Sequence, residues 1–177
     1  MANLNLVDDD VAATRASFEG LRKQIGLVPN LYRVVGNSPA ALQGHLGLAG
    51  ALGRGVLAAP LREQIALLSA ETNGCDYCLS AHSVIGAGAG LDVAAIEAAR
   101  HGGAAAARDK AALDLARALL ANQGRNAQQE LAAVKAAGWD DAAIVEIAHH
   151  VALNVLTNTV NTLADTPIDF PVRHTGR

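Results

Sequence analysis

Aromatic side chains are scarce in this chain of 177 residues: one Trp, two Tyr and two Phe, 3% in all. A core without large rings must be built from Ala, Leu, Val and Ile, as closely packed helices allow. Cysteines number only two, which excludes a small secreted scaffold held by disulfides. Basic residues do not outnumber acidic ones (14 against 17, net charge −3). No Lys/Arg-rich run appears, so no nucleic-acid-binding face is expected. No apolar run reaches the length of a membrane span; the most apolar late segment, AAIVEIAHHVALNVL, is interrupted by Glu146, His149 and His150. The N-terminus, MANLNLVDDD, has an acidic triplet where a signal peptide would carry a basic region and an apolar core. These absences point to a cytoplasmic protein that binds neither nucleic acid nor membrane.

The hydrophobic share is 51% and the mean hydropathy +0.20, which excludes a disordered chain. The length suits one domain with a proper core, and the apolar excess points to burial between subunits. No strand-like alternation runs for a useful length, whereas helical spacing recurs throughout. Helices are expected over 9–25, 31–35, from Ser38-Pro39 to about Leu52, from Pro60 to Asn73, from Cys75 to Ala87, from Asp92 to Ala99, over 108–121 and 127–137, and from Asp140 to about Ala164. Ser38, Asp92 and Asp140 are cap residues, and Pro39 and Pro60 suit the first helical turn. In the 60–73 segment Leu61, Ile65 and Leu68 fall at i, i+4 and i+7. The tail from about 165, TPIDFPVRHTGR, contains two prolines and is expected to be extended. The expected fold is therefore all-α, a bundle of seven to nine helices with short loops over residues 1–177.

Both cysteines stand in one stretch, Glu71 to His82, ETNGCDYCLSAH. A C-x-x-C pair in a reducing compartment points to redox or metal chemistry rather than a permanent staple. Asn73-Gly74 ends one helix, so Cys75 is expected in the first turn of the next. There the unpaired backbone N–H groups favour a thiolate. Cys78 lies one turn on, within disulfide reach, and His82 shares its face at i+4. An imidazole there can take or return the Cys78 proton. The turn at 73–74 folds the preceding helix back alongside, which brings Glu63 toward the dithiol. The helix terminus favours Cys75 as the more acidic thiol and the Glu63–His82 pair favours Cys78, so both assignments stay open.

The segment LREQIALLSAETNGCDYCLSAHSVIGAGAGLD closely resembles the core of the AhpD-like alkylhydroperoxidases within the carboxymuconolactone decarboxylase family. The redox branch of that family has a Glu twelve positions before the first Cys and a His four after the second, positions held here by Glu63 and His82. GLVPNLYRVVGNSPAAL resembles the N-terminal part of the longer, peroxidase-related members. AGWDDAAIVEIAHHVALNVLTNTVNTLADTPID resembles their final helix and tail, including Asn154 and Asn161. The resemblance implies an AhpD-like helical bundle and thiol-dependent reduction of hydroperoxides. In that scheme Glu63 and His82 relay a proton, Cys78 attacks the peroxide and Cys75 resolves the sulfenic acid to a disulfide. A lipoyl protein, a thioredoxin-like protein or a small thiol would restore the dithiol. The resemblance further implies no metal, haem or flavin, and a homo-oligomer, either a trimer or a dimer-based hexamer. Tyr77 stands where some peroxidase members have a second histidine, a departure that bears on rate. The decarboxylase branch generally lacks the C-x-x-C pair, so turnover of a small lactone or keto acid is the lesser reading.

The competing reading of the motif is a zinc-stapled interaction module, with Cys75, Cys78, His82 and either His149 or His150 as ligands. Other candidates have plainer readings. Tyr77 and His149 are possible pocket residues, although a histidine on an apolar helix more often serves the core or an interface. Glu71 is read as solvated or as an i, i+4 partner, His45 and His101 as surface or helix-end residues, and Asn154 and Asn161 as marks of subunit contacts.

Overall fold

A computed structural model describes residues 2–176 of the chain. Among these residues the regular structure is entirely helical: α1 Arg15–Ile25, α2 Asn30–Val35, α3 Pro39–Leu52, α4 Ala59–Asn73, α5 Asp76–Gly88, α6 Val93–Arg100, α7 Ala107–Asn122, α8 Gln128–Ala136 and α9 Asp141–Ala164. The all-α bundle expected from the sequence is the observed fold.

Local chemistry sets most of the helix ends. Ser38, Asp92 and Asp140 each accept a hydrogen bond from the backbone three residues on, at Ala41, Ala95 and Ala143, which satisfies one of the free N–H groups of the first turn. The largest departure is at the N-terminus, where α1 starts at Arg15 rather than near residue 9. The acidic triplet is used instead as an anchor, because Asp9 forms ion pairs with Arg22 and Arg33.

Helix α4 is the central element. Leu61 and every residue from Gln64 to Ala70 are buried, so it is enclosed on nearly all sides rather than having one wet face. Its lower part joins Leu113, Ala116, Val134, Ile147 and Val151 in a core shared with α7, α8 and α9. Its upper part meets a second core built around the cysteines, with Leu67, Leu79, Ile96 and Ala99. Glu146 of α9 accepts hydrogen bonds from Val56 N at 2.8 Å and Leu57 N at 3.1 Å, and so holds the connector that leads into α4. A polar interruption of the apolar α9 sequence thereby satisfies loop backbone that no helix serves. Among the described residues no helix is long and apolar enough to cross a membrane.

Candidate active site

The site begins at a tight turn. Gly74 has φ +68°, in the left-handed region, and follows the end of α4. This conformation costs glycine little and a side chain considerably more. It lets the Cys75 N–H return to Ala70 O at 2.9 Å and sends α5 back along α4. Cys75 is the N-cap of α5 and not part of its first turn: its backbone is extended and its sulfur accepts the Cys78 N–H at 3.4 Å. Both thiols are free and buried, 2% and 3% exposed.

The two thiols differ in their surroundings. Cys78 Sγ accepts a hydrogen bond from Asn161 Nδ2 of α9 at 3.2 Å. The Cys75 thiol, with help from the side chains of Asn161, Asn158 and Thr157, holds the Cys78 thiol below its ordinary value against the opposing effect of burial. Cys75, donating to Cys78 and desolvated, is pushed up. These surroundings favour charge on Cys78 over Cys75. At the N-cap the Cys75 sulfur receives one long backbone bond and help from Thr162, while Cys78 collects more donors from α9, so the helix terminus alone does not set the balance.

Glu63 and His82 come together as their spacing suggests. Glu63 Oε2 of α4 lies 2.8 Å from His82 Nδ1 of α5. A carboxylate only accepts, so Nδ1 donates and Nε2 is left free to take or return a proton. Among the described residues His82 is hydrogen-bonded to neither sulfur; Cys78 looks toward α9 and His82 toward α4.

A cavity of about 520 Å³ opens beside the dithiol, its wall including Gly74, Cys75, Tyr77, Asn161, Thr166 and Thr175. Tyr77 is a true wall residue. Its hydroxyl accepts the Leu31 N–H at 3.1 Å, its ring packs edge-on to Phe170, and burial pushes its phenol up. Cys75 faces this space, whereas Cys78, Glu63 and His82 are not part of its lining. The C-terminal tail closes one side. Asp76, between the cysteines, accepts from Thr175 N and Thr175 Oγ1 and from His174, while Ser80 Oγ accepts the Arg173 N–H.

Several residues sit elsewhere than expected. The structure does not bring His149 to the dithiol: it is exposed, and its Nδ1 donates to Val145 O in its own helix. His150 is the buried neighbour, with Nε2 unpartnered. Among the described residues no group of three or more His, Cys, Asp or Glu side chains is placed to hold a metal ion, so the zinc ligand set is not assembled. Glu71 binds Arg100 and the Gly176 N–H rather than a partner on its own helix. His45 is buried against Tyr32, not at the surface. Asn154 and Asn161 point inward, the first to His150 O and the second to Cys78. Asn158, which the sequence reading passes over, accepts from Asn73 at 2.8 Å on the same buried face.

The model of the carboxymuconolactone decarboxylase family matches residues 38–121, which include Glu63, both cysteines and His82. No match was found among curated protein sequences. Among solved structures, the chain is similar to a peroxidase-related protein with an alkylhydroperoxidase AhpD core from Ralstonia eutropha JMP134 (TM-score 0.83, 20% identity, 95% of this chain and 92% of that one). It is similar to a peroxidase-related protein from Silicibacter sp. TM1040 (TM-score 0.80, 21% identity, 99% and 93%). It is also similar to the debrominase Bmp8, solved as a cysteine-to-alanine variant in complex with 2,3,4-tribromopyrrole (TM-score 0.79, 22% identity, 94% and 91%). The segment that carries Glu63, Cys75, Cys78 and His82 is thus similar to the carboxymuconolactone decarboxylase family, and the chain has the AhpD-like fold.

Proposed function

We propose that the protein is an oxidoreductase of the peroxidase type, which reduces hydroperoxides through a Cys75–Cys78 dithiol and disulfide cycle. The observation that carries this reading is the asymmetric thiol pair: two buried free cysteines at one helix start, with Asn161 donating to the Cys78 sulfur and the Cys78 N–H to the Cys75 sulfur. The Cys78 thiolate attacks the terminal peroxide oxygen and the O–O bond breaks. The departing alkoxide takes a proton and leaves as an alcohol, and Cys78 becomes a sulfenic acid. Cys75 then attacks the Cys78 sulfur. Its proton leaves with the hydroxyl as water, and the disulfide forms. Two thiols of an external reductant return the pair to the dithiol by exchange and are themselves oxidised to a disulfide. Glu63 orients His82 so that Nε2 supplies and recovers protons along α5. The cavity beside Cys75 is the approach for the reductant. Attack there expels Cys78, the sulfur that better carries negative charge and so leaves faster.

The test is thiol titration with intact mass, anaerobic and metal-free, before and after one equivalent of an organic hydroperoxide. Loss of both thiols with a mass decrease of two hydrogens, reversed by a dithiol, is the expected result. Full catalytic turnover of a small lactone by Cys75→Ser/Cys78→Ser would instead favour the decarboxylase reading. The likeness to a debrominase gives a second electrophile to try. Bromide release from a bromopyrrole, dependent on Cys78 and an added thiol, would place a carbon–bromine bond where the peroxide bond is proposed to react.

A further inference from the structure

Helix α9 carries three asparagines on its buried face, Asn154, Asn158 and Asn161, at 6%, 2% and 3% exposure. Buried carboxamides are costly unless each finds partners. Asn154 is satisfied inside its own helix, donating to His150 O at 2.8 Å. Asn158 ties α9 to the end of α4 by accepting from Asn73. Asn161 is the one of the three that makes a hydrogen bond to a sulfur, and its Oδ1 has no partner; Asn158, whose Nδ2 is otherwise unpaired, assists at longer range. Its neighbour Thr162 reaches Cys75 instead.

We propose that Asn161 is the positioning residue that decides which of the two sulfurs carries the charge: its carboxamide N–H, delivered by α9, holds the Cys78 sulfur as an acceptor and leaves the remaining proton to Cys75. The geometry selects one sulfur because the bond is specific to Cys78 at 3.2 Å and fully enclosed. A hydrogen bond to an ionised, buried acceptor is among the stronger kinds. The other ionisable groups around Cys78 do not make this choice. Cys75 shares the proton, the Tyr77 phenol is bonded to Leu31 N, and Glu63 and His82 are bonded to each other. Only the consequence for turnover rests on the hydroperoxide reading; the assignment of the charge does not.

The experiment follows the ultraviolet absorbance of the thiolate against pH in the reduced protein, with circular dichroism and a thermal midpoint recorded on each variant. Asn161→Leu should raise the first thiolate midpoint by about one unit, a tenfold loss of thiolate at a fixed pH below the midpoint. Asn161→Asp, close in shape but with an acceptor in place of the donor, should raise it at least as far and serves if the leucine variant does not fold. Asn154→Ala, on the same buried face but touching no sulfur, should lower the thermal midpoint and leave the thiolate midpoint unmoved. A folded Asn161→Leu or Asn161→Asp protein that titrates like the wild type would overturn the proposal, as would an equal shift in Asn154→Ala. No hydroperoxide enters these measurements. A shifted midpoint in a protein that does not react with hydroperoxides would therefore sink the functional reading and leave this one standing.

Discussion

The C-terminal tail is held to the dithiol by Asp76, and replacing this residue by alanine should free it. Asp76 accepts the Thr175 N–H at 2.8 Å, the Thr175 hydroxyl at 2.9 Å and His174 Nδ1 at 2.7 Å. Hydrogen bonds to charged groups contribute roughly 1.5–3 kcal/mol each. The Asp76 side chain is 35% exposed, so solvent screening reduces the two Thr175 bonds to about 1 kcal/mol apiece. His174 is 75% exposed and is left out of the sum. Losing about 2 kcal/mol raises the population of the released tail about 30-fold. Hydrogen exchange at the Thr175 amide, read by NMR or on a C-terminal peptide by mass spectrometry, should accelerate by that factor in Asp76→Ala and by less in Asp76→Asn, which keeps an acceptor. Acid should act in the same direction. Burial pushes the Asp76 carboxyl up, but the bonds from Thr175 and His174 outweigh it and hold it below its ordinary value near 3.8. A carboxylate depressed by folding contributes fully above its unfolded value and loses that contribution as pH falls through the folded one. The tail should thus loosen only in strong acid. Unchanged exchange at Thr175 in Asp76→Ala would show that Ser80 and Glu71, its other anchors, suffice, and the energetic reasoning would be wrong.

Three further outcomes follow from the same geometry. If Glu63 and His82 form a proton relay, His82→Ala should slow disulfide formation by hydroperoxide on the order of a hundredfold; superimposable pH profiles of thiol alkylation for wild type, Glu63→Gln and His82→Ala would rule the relay out. Gly74→Ala should destabilise the protein by about 1–2 kcal/mol through its left-handed backbone, read as a lower thermal midpoint, and an unchanged midpoint would refute that role. Burial holds the imidazoles of His45 and His150 below the ordinary histidine value, so unfolding takes up protons there. Stability is then full above pH about 6.5 and declines as pH falls below it; His45→Phe should flatten that decline in urea titrations at pH 7 and pH 5, and an identical decline would exclude His45 as a source.

The fold is legible in the sequence because its signals are local. Ser38, Asp92 and Asp140 cap the helices that follow them, and each bond closes three residues away. The turn at Asn73-Gly74 is written in the one residue that adopts φ +68° freely. The start of α1 is illegible for the opposite reason. Val11 and Ala12 fit a helical stripe, but Asp9 is drawn to Arg33, a partner that local spacing does not reveal. The burial of His45 escapes likewise, since what covers it is Tyr32 on another helix.

The candidate site divides along the same line. Glu63 and His82 lie on consecutive helices joined by a tight turn, so a spacing pattern of nineteen residues is enough to expect their meeting. Which cysteine holds the charge does not follow in that way. Counting only the helix terminus favours Cys75, because the decisive donor is Asn161, 83 residues from Cys78. The signal is nevertheless present in the sequence. Asn154, Asn158 and Asn161 recur at helical spacing along a segment otherwise rich in Val, Leu and Ile, and a helix face that must be buried does not keep carboxamides without partners. Reading that face as a subunit contact recognises the need for partners but looks outside the chain for them. The shorter inference is that a polar row on an apolar helix faces a polar object inside the fold. In a chain with two cysteines and few buried charges, a thiolate is the buried acceptor that most needs such donors.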